Sequence, residues 1–259
     1  MSRSAAGNIS GCLEQYSFSE IQTYVSEKSV LILPIGGNEP LGPGVPSGAE
    51  SVLCRSLARE LTSEYHLLSA PVLPFSCSVP FMAFPGTAGI KPRTFINVLL
   101  DMIRCYVFQG FSKLFLINVA PFNQEPLREL IKRIAYAYPQ VKAAVFDFNS
   151  AAAAEQQRNF DRQDKLLLSV ISFISPEMIQ REQSIEIRNT TSVKDYRTWR
   201  KRGRDPQKLR TLFPSGVLEN EEFSFSTEVG KEYFGKLLKA AGRELKQLME
   251  SDESGMSNA

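Results

Sequence analysis

The chain has 259 residues, of which 43% are hydrophobic, 22% charged and 10% aromatic, which is the composition of a folded domain and excludes disordered, collagen-like and coiled-coil classes. Thirty basic against 28 acidic side chains leave a formal charge of +2, too little for a broad basic field, so nucleic acid is not expected as a partner. A single histidine, His66, excludes a His-rich zinc cage or a His–His relay, and any hydrolysis would rest on carboxylates, Cys, Lys or Ser.

In chain order, the first apolar run is Ser29 to Ile35, too short for a helix and closed by Pro34 and the Gly36-Gly37 pair. Ala49 to Tyr65 carries Val52, Leu53, Leu57 and Leu61 at helical spacing, and His66 to Leu73 returns to a strand pattern. A helix from Thr94 to Gln109, with Gly110 as its C-cap, leads into Lys113 to Val119, the apolar run of a strand buried on both faces. Helix Pro126–Tyr138, strand Val141–Phe148 and helix Asp161–Ile174 follow, the last stopped by Ser175-Pro176. The final helix runs from about Glu228 to Met249 on the stripe Val229, Tyr233, Leu237, Leu238, Ala241, Leu245 and Leu248. This alternation predicts an α/β fold, three α/β/α layers around a mostly parallel sheet, in one domain over residues 1–250 with a disordered tail at 251–259.

Cys12, Cys54, Cys77 and Cys105 are widely spaced, and the N-terminus has no apolar signal core. With no stretch of about 18 apolar residues, the reading is a cytoplasmic protein with reduced thiols and no membrane contact. The basic segment Val193 to Arg210, which holds the sole tryptophan, Trp199, reads as a solvated surface excursion. Its alternative is a contact patch for an acidic partner or a neighbouring subunit.

In open parallel sheets the site lies at the carboxyl ends of the strands, here the loops after Ile35, Leu73, Val119 and Phe148. The first, LPIGGNEPLGPGVPSGAE (Leu33 to Glu50), resembles without a gap the creatininase (creatinine amidohydrolase) pattern L-P-V-G-S-x-E-Q-H-G-P-H-L-P-x-G-T-D. Further anchors follow in order. Phe84 to Thr87 is similar to the family's F-P-G-T, Gly110-Phe111 with Leu114 to Asn118 to its H-G-F…L-L-L-V-N, and Asn123 to the last residue of N-G-H-G-G-N. Ser169 to Ile179, Ser215 to Leu218 and Ser226 to Gly230 resemble its later segments, and SFSEIQTYVSEKSV its lead into the first strand.

The resemblance implies a creatininase-like α/β/α domain, descent from metal-dependent amide hydrolases and a homo-oligomer, often a hexamer. It also implies ligand positions, and most hold residues that cannot ligate. Glu39 stands at the ligand Glu, but the two histidine positions of that loop hold Leu41 and Gly44, and Glu50 replaces the ligand Asp. In N-V-A-P-F-N the histidine position is Ala120 and a carboxylate position is Phe122. The later H-A-G-E-x-E-T-S motif aligns with RQDKLLLS, which puts Arg162, Lys165 and Leu167 at its His and acid positions.

Two carboxylates alone would hold a Zn- or Mn-type ion weakly and provide no base of matched pKa, so no metal cofactor is expected, with Glu39 and Glu50 as the weak candidates for one. Converging acids without a cation need a positive group, a role open to Arg162 or Lys165. Equally, Glu39 can cap a backbone turn, and Glu50 can be a first-turn acid favoured by the helix dipole. Cys77 reads as a buried thiol and His66 as a satisfied or exposed histidine.

The preferred function is a non-catalytic family member that retains the pocket for a small-molecule ligand or the oligomer for scaffolding. The alternatives are an amidohydrolase acting on a cyclic amide or formamide, its site rebuilt from Glu39, Glu50, Asn118, Asn123 and Asp161 or Asp164, and a regulatory subunit paired with an active homologue.

Overall fold

The structure, a computed structural model, describes residues 9–42, 45–155, 163–179, 205–216 and 225–251. Five strands form one parallel sheet: β1 (Gly11–Cys12), β2 (Val30–Ile35), β3 (Leu68–Ser69), β4 (Lys113–Asn118) and β5 (Lys142–Asp147), in the spatial order β1-β3-β2-β4-β5. β2 and β4 lie at its centre, paired from Val30 with Lys113 to Ile35 with Asn118, and all their residues are buried. That is why both read as unbroken apolar runs and not as alternating ones.

Pro34 is tolerated in this central strand for a specific reason. Its carbonyl accepts the Leu73 amide on the β3 side, beyond the end of β3 at Ser69, so its missing N–H faces a gap in the ladder and not a bonded neighbour.

Eight α-helices are described: α1 (Phe18–Glu27), α2 (Ala49–Tyr65), α3 (Pro92–Phe108), α4 (Gln124–Ala137), α5 (Phe148–Glu155), α6 (Gln163–Ile174), α7 (Pro206–Leu212) and α8 (Thr227–Glu250). α3 packs with α4, while α2, α6 and α8 pack together, so the sheet is covered on both faces and one core runs through the layers. α1 opens with a capping box in which Ser17 and Glu20 exchange hydrogen bonds. α8 crosses α6 at Gly230, where any side chain would meet the Ser169 carbonyl. Among the described residues, no helix is long and apolar enough to cross a membrane.

Several expectations need correction. The strand predicted over His66–Leu73 is reduced to Leu68–Ser69 and one bridge from Leu73 to Ile35, because His66 adopts a left-handed conformation (φ 53°) as the C-cap of α2 and Pro71 interrupts the ladder. The C-cap of α3 is Gln109 and not Gly110, which lies one position further at φ 104°. From there Gly110 and Phe111 donate to Val107 and Tyr106, a Schellman closure that favours glycine at that position. The segment 193–204, including Trp199, lies outside the described residues, and residues 205–210 begin α7, capped by Asp205.

Candidate functional site

The strand order turns outward in both directions from the β2–β4 pair, so the loops leaving these two strands diverge and open a crevice at their carboxyl ends. One wall is the loop from Gly36 into α2. Gly36 lies directly against Ser51, and a side chain at Gly37 would collide with Glu50 Oε2, so the glycine pair lets the first turn of α2 approach the strand end. Ser51 Oγ donates to the Gly37 carbonyl at 3.0 Å, and Cys54 Sγ to the Ile35 carbonyl at 2.9 Å.

Both retained acids are inside. Glu39 is 3% exposed and Glu50 2%. Glu39 Oε1 accepts from Ser76 Oγ at 2.8 Å, and Ser76 shares a further hydrogen bond with Ser78 at 2.7 Å. Glu50 occupies the first turn of α2, as expected of an acid at a helix N-terminus. The two carboxylates leave their mark on neighbouring thiols. Burial, then the charge of Glu39, pushes the Cys77 thiol up to about 12. Cys54 is raised well above the ordinary thiol range by burial first and Glu50 second. Neither is a nucleophile near neutrality.

The opposite wall, after β4, has a different chemistry. Ala120 is fully buried, and Leu41, across the crevice, is buried in the main core. Phe122 is half-buried and stacks edge-on against Phe81, with ring centroids 5.6 Å apart. Asn118 and Asn123 are both fully buried and committed to structure. Asn123 Nδ2 donates to Asn118 Oδ1 at 3.1 Å, while its Oδ1 accepts the Cys77 amide at 2.9 Å. Asn118 Nδ2 donates to the Ala120 carbonyl at 3.0 Å and to Asp147 Oδ2 at 2.7 Å. Asp147 Oδ1 also takes Gln124 Nε2 at 2.7 Å and the amide and hydroxyl of Ser150, each at 2.8 Å, which caps α5. The side chains that an amide-hydrolysing rearrangement would recruit here are spent on holding the β4 and β5 loops.

A separate apolar cluster covers this wall. Phe81, Phe84, Leu209 and Phe213 are buried together, with Phe122 and Leu212 packed against them. Arg210 ties α7 down by donating to the Ala83 carbonyl at 2.8 Å, with its guanidinium 6.0 Å from the Phe84 ring centre. Gly216, at φ 78°, presses against Pro40 of the glutamate loop. Phe84 and Phe122 were singled out as family positions, but neither the Ser76–Ser78 link nor the packing of Phe81, Leu209, Leu212 and Phe213 around them was. The available signals were two serines at alternate positions of PFSCSVPF, and an apolar Phe122 facing the equally apolar Phe81 and Phe84.

The structure thus brings Glu39 and Glu50 together about Gly37 and Ser76, with Asn123 on the nearby Cys77 amide and Phe122 on Phe81, while Leu41 and Ala120 are buried. Gly44, Asp161 and Arg162 lie outside the described residues, as do the side chains of Asp164 and Lys165, whose backbone belongs to α6. Among the described residues the aligned positions offer two carboxylates and four hydrocarbon side chains, Leu41, Ala120, Phe122 and Leu167, a donor set that does not fit a transition metal, and no cluster of three or more His, Cys, Asp or Glu is placed to hold an ion.

Residues 14–245 match the family described as creatininase, creatinine amidohydrolase. The fold is similar to a crystal structure of creatinine amidohydrolase (creatininase), with a TM-score of 0.73 and 18% identity over 93% of this chain and 98% of that one. It is also similar to a manganese creatininase, with a TM-score of 0.72 and 17% identity over 92% and 98% of the two chains. A curated relative, 3-dehydro-scyllo-inosose hydrolase of Thermotoga maritima, is 25% identical over 104 residues, 39% of this chain, and the match spans 33% of that relative's length.

Proposed function

The chain belongs to the creatininase family, and from that premise we propose that it is a non-catalytic member, a binding or scaffold protein built on an amidohydrolase fold. The observation that carries this reading is the chemistry of the crevice: Leu41 and Ala120 are buried apolar side chains at histidine positions, and Phe122 packs on Phe81 at a carboxylate position. Hydrocarbon cannot polarise an amide carbonyl or bind the ion that would do so. Of the residues from which a rebuilt site was expected, Asn118 and Asn123 are engaged with each other and with Asp147, Ala120 and Cys77, while Asp161 and the side chain of Asp164 lie outside the described residues.

Without an ion, two buried acids require a compensating charge. We assign that role to Arg162 or Lys165, of which Arg162 and the side chain of Lys165 lie outside the described residues. The rest of the reading is a single domain over residues 1–250, cytoplasmic and homo-oligomeric, with a small polar molecule as the ligand of what remains of the crevice.

The test is hydrolysis of creatinine-like cyclic amides and formamides by protein supplied with zinc or manganese. The expected result is no turnover beyond that of the Glu39→Gln variant. Turnover that is lost on chelation and in Glu39→Gln would restore the amidohydrolase reading.

A further inference from the structure

Away from the crevice, β5 forms one edge of the sheet. Among the described residues its strand neighbour is β4 alone, and no other described strand takes the N–H and C=O groups on its far side. Exposed edges are usually blunted by proline, a bulge or a charge in mid-strand. The interior of β5, Ala143 to Phe146, has none of these, and its charges, Lys142 and Asp147, stand at the ends. Clefts flank this edge on both faces of the sheet, about 980 Å³ on the α8 side and about 570 Å³ on the α4 side, and Val145, Asp147 and Ser150 line both. The edge strand therefore stands between two open grooves.

The α8 wall carries a repeated charge. Lys236, Lys239, Arg243 and Lys246 follow one another at i, i+3, i+7 and i+10, all exposed and all lining the larger cleft. This spacing keeps them on one helix face, and ten residues of helix extend about 15 Å, close to the length of a five-residue strand at about 3.3 Å per residue. Lys236 is paired with Glu232 at 3.1 Å. Of the acids in the cleft itself, Asp147 is already held by Asn118, Gln124 and Ser150, which leaves Glu64 and Glu244 against Lys239, Arg243 and Lys246.

We propose that the β5 edge and the basic face of α8 form a docking site for an extended acidic segment of another protein, which adds as a strand to β5 and directs alternate carboxylates at Lys239, Arg243 and Lys246. Main-chain hydrogen bonds to the edge supply affinity, and the side chains on one face of the added strand, spaced about 6.6 Å apart, supply the charge match. A second copy of this chain is the poorer occupant. Antiparallel pairing of two β5 edges about a twofold axis normal to the sheet places the two α8 layers on the same face, so their basic stripes would approach each other.

The test is fluorescence anisotropy with a labelled peptide of alternating Glu and Thr, titrated with the full chain at low and moderate salt. Saturable binding that weakens with salt is expected, with about a tenfold loss or more in Lys239→Glu/Arg243→Glu, whose exposed positions leave the fold intact as checked by circular dichroism. The backbone arm uses the same peptide N-methylated at alternate residues: one methylation register abolishes binding and the other leaves it unchanged. Absence of saturable binding, or binding indifferent to both registers, overturns the proposal. So does a dimer in sedimentation that Val145→Lys dissociates, since the edge is then occupied by a second copy.

Discussion

The two walls at the carboxyl ends of β2 and β4 differ in chemistry. The β2 wall buries two acids, Glu39 and Glu50, and supports Glu39 with a serine pair, while the β4 wall presents Ala120 and Phe122 beside a cluster of aromatic side chains. A buried carboxylate at a family position is therefore weak evidence for metal chemistry on its own. Its persistence has a structural explanation in the Ser76 hydrogen bond and the α2 N-terminus, whereas the β4 wall decides whether an ion has enough donors.

The contrast can be broken most directly at the cover. Phe213 is fully buried in the small aromatic cluster, so Phe213→Ala should cost about 3–5 kcal/mol in urea unfolding, and a cost under about 1 kcal/mol would show that the cover is not packed. Asn118→Ala comes next. It removes a donor from Asp147 and an acceptor from Asn123, and a loss of about 1–3 kcal/mol is expected by the same measurement. A neutral result would mean that these amides are not committed to structure and are free for other work. On the β2 wall, Ser76→Ala takes one donor from Glu39 and should cost about 1–2 kcal/mol, with Ser76→Thr recovering much of it.

The last effect is absent near neutrality and appears only at alkaline pH. The folded Cys77 thiol, pushed up to about 12 by burial and Glu39, sits above its unfolded value of about 8.5. Its contribution to stability is fully present below the unfolded value and is lost as pH rises through the window between the two. Cys77→Ala should flatten the decline in stability over that range. In the folded protein the exposed Cys105 should be alkylated well before Cys77 and Cys54, and equal rates would contradict the burial described above.

Much of this was legible in the sequence where burial is two-sided or periodic. Helix α2 runs over the residues its apolar spacing predicts, and the runs that became β2 and β4 are apolar because no face of them meets water. The two-residue strand β1 and the short helix α7 were not legible, since so few residues carry no period and tertiary contacts hold them, and β3 was read as a strand but too long. At the site, the family pattern indicated which positions matter. It did not indicate that Phe81, Phe84 and Phe213, distant along the chain, would close over Phe122, because each looks like ordinary core until the loops are folded together. The hydrogen-bond partners of Asn118 and Asn123 depend on loop conformation in the same way.

The most direct test of the central claim is the metal content of the full-length protein, purified without chelator and dialysed against zinc or manganese, measured together with its unfolding temperature. The expected result is far less than one ion per chain and no ion-dependent rise in stability. One or two ions retained per chain, with stabilisation that chelation reverses and Glu39→Gln abolishes, would contradict it.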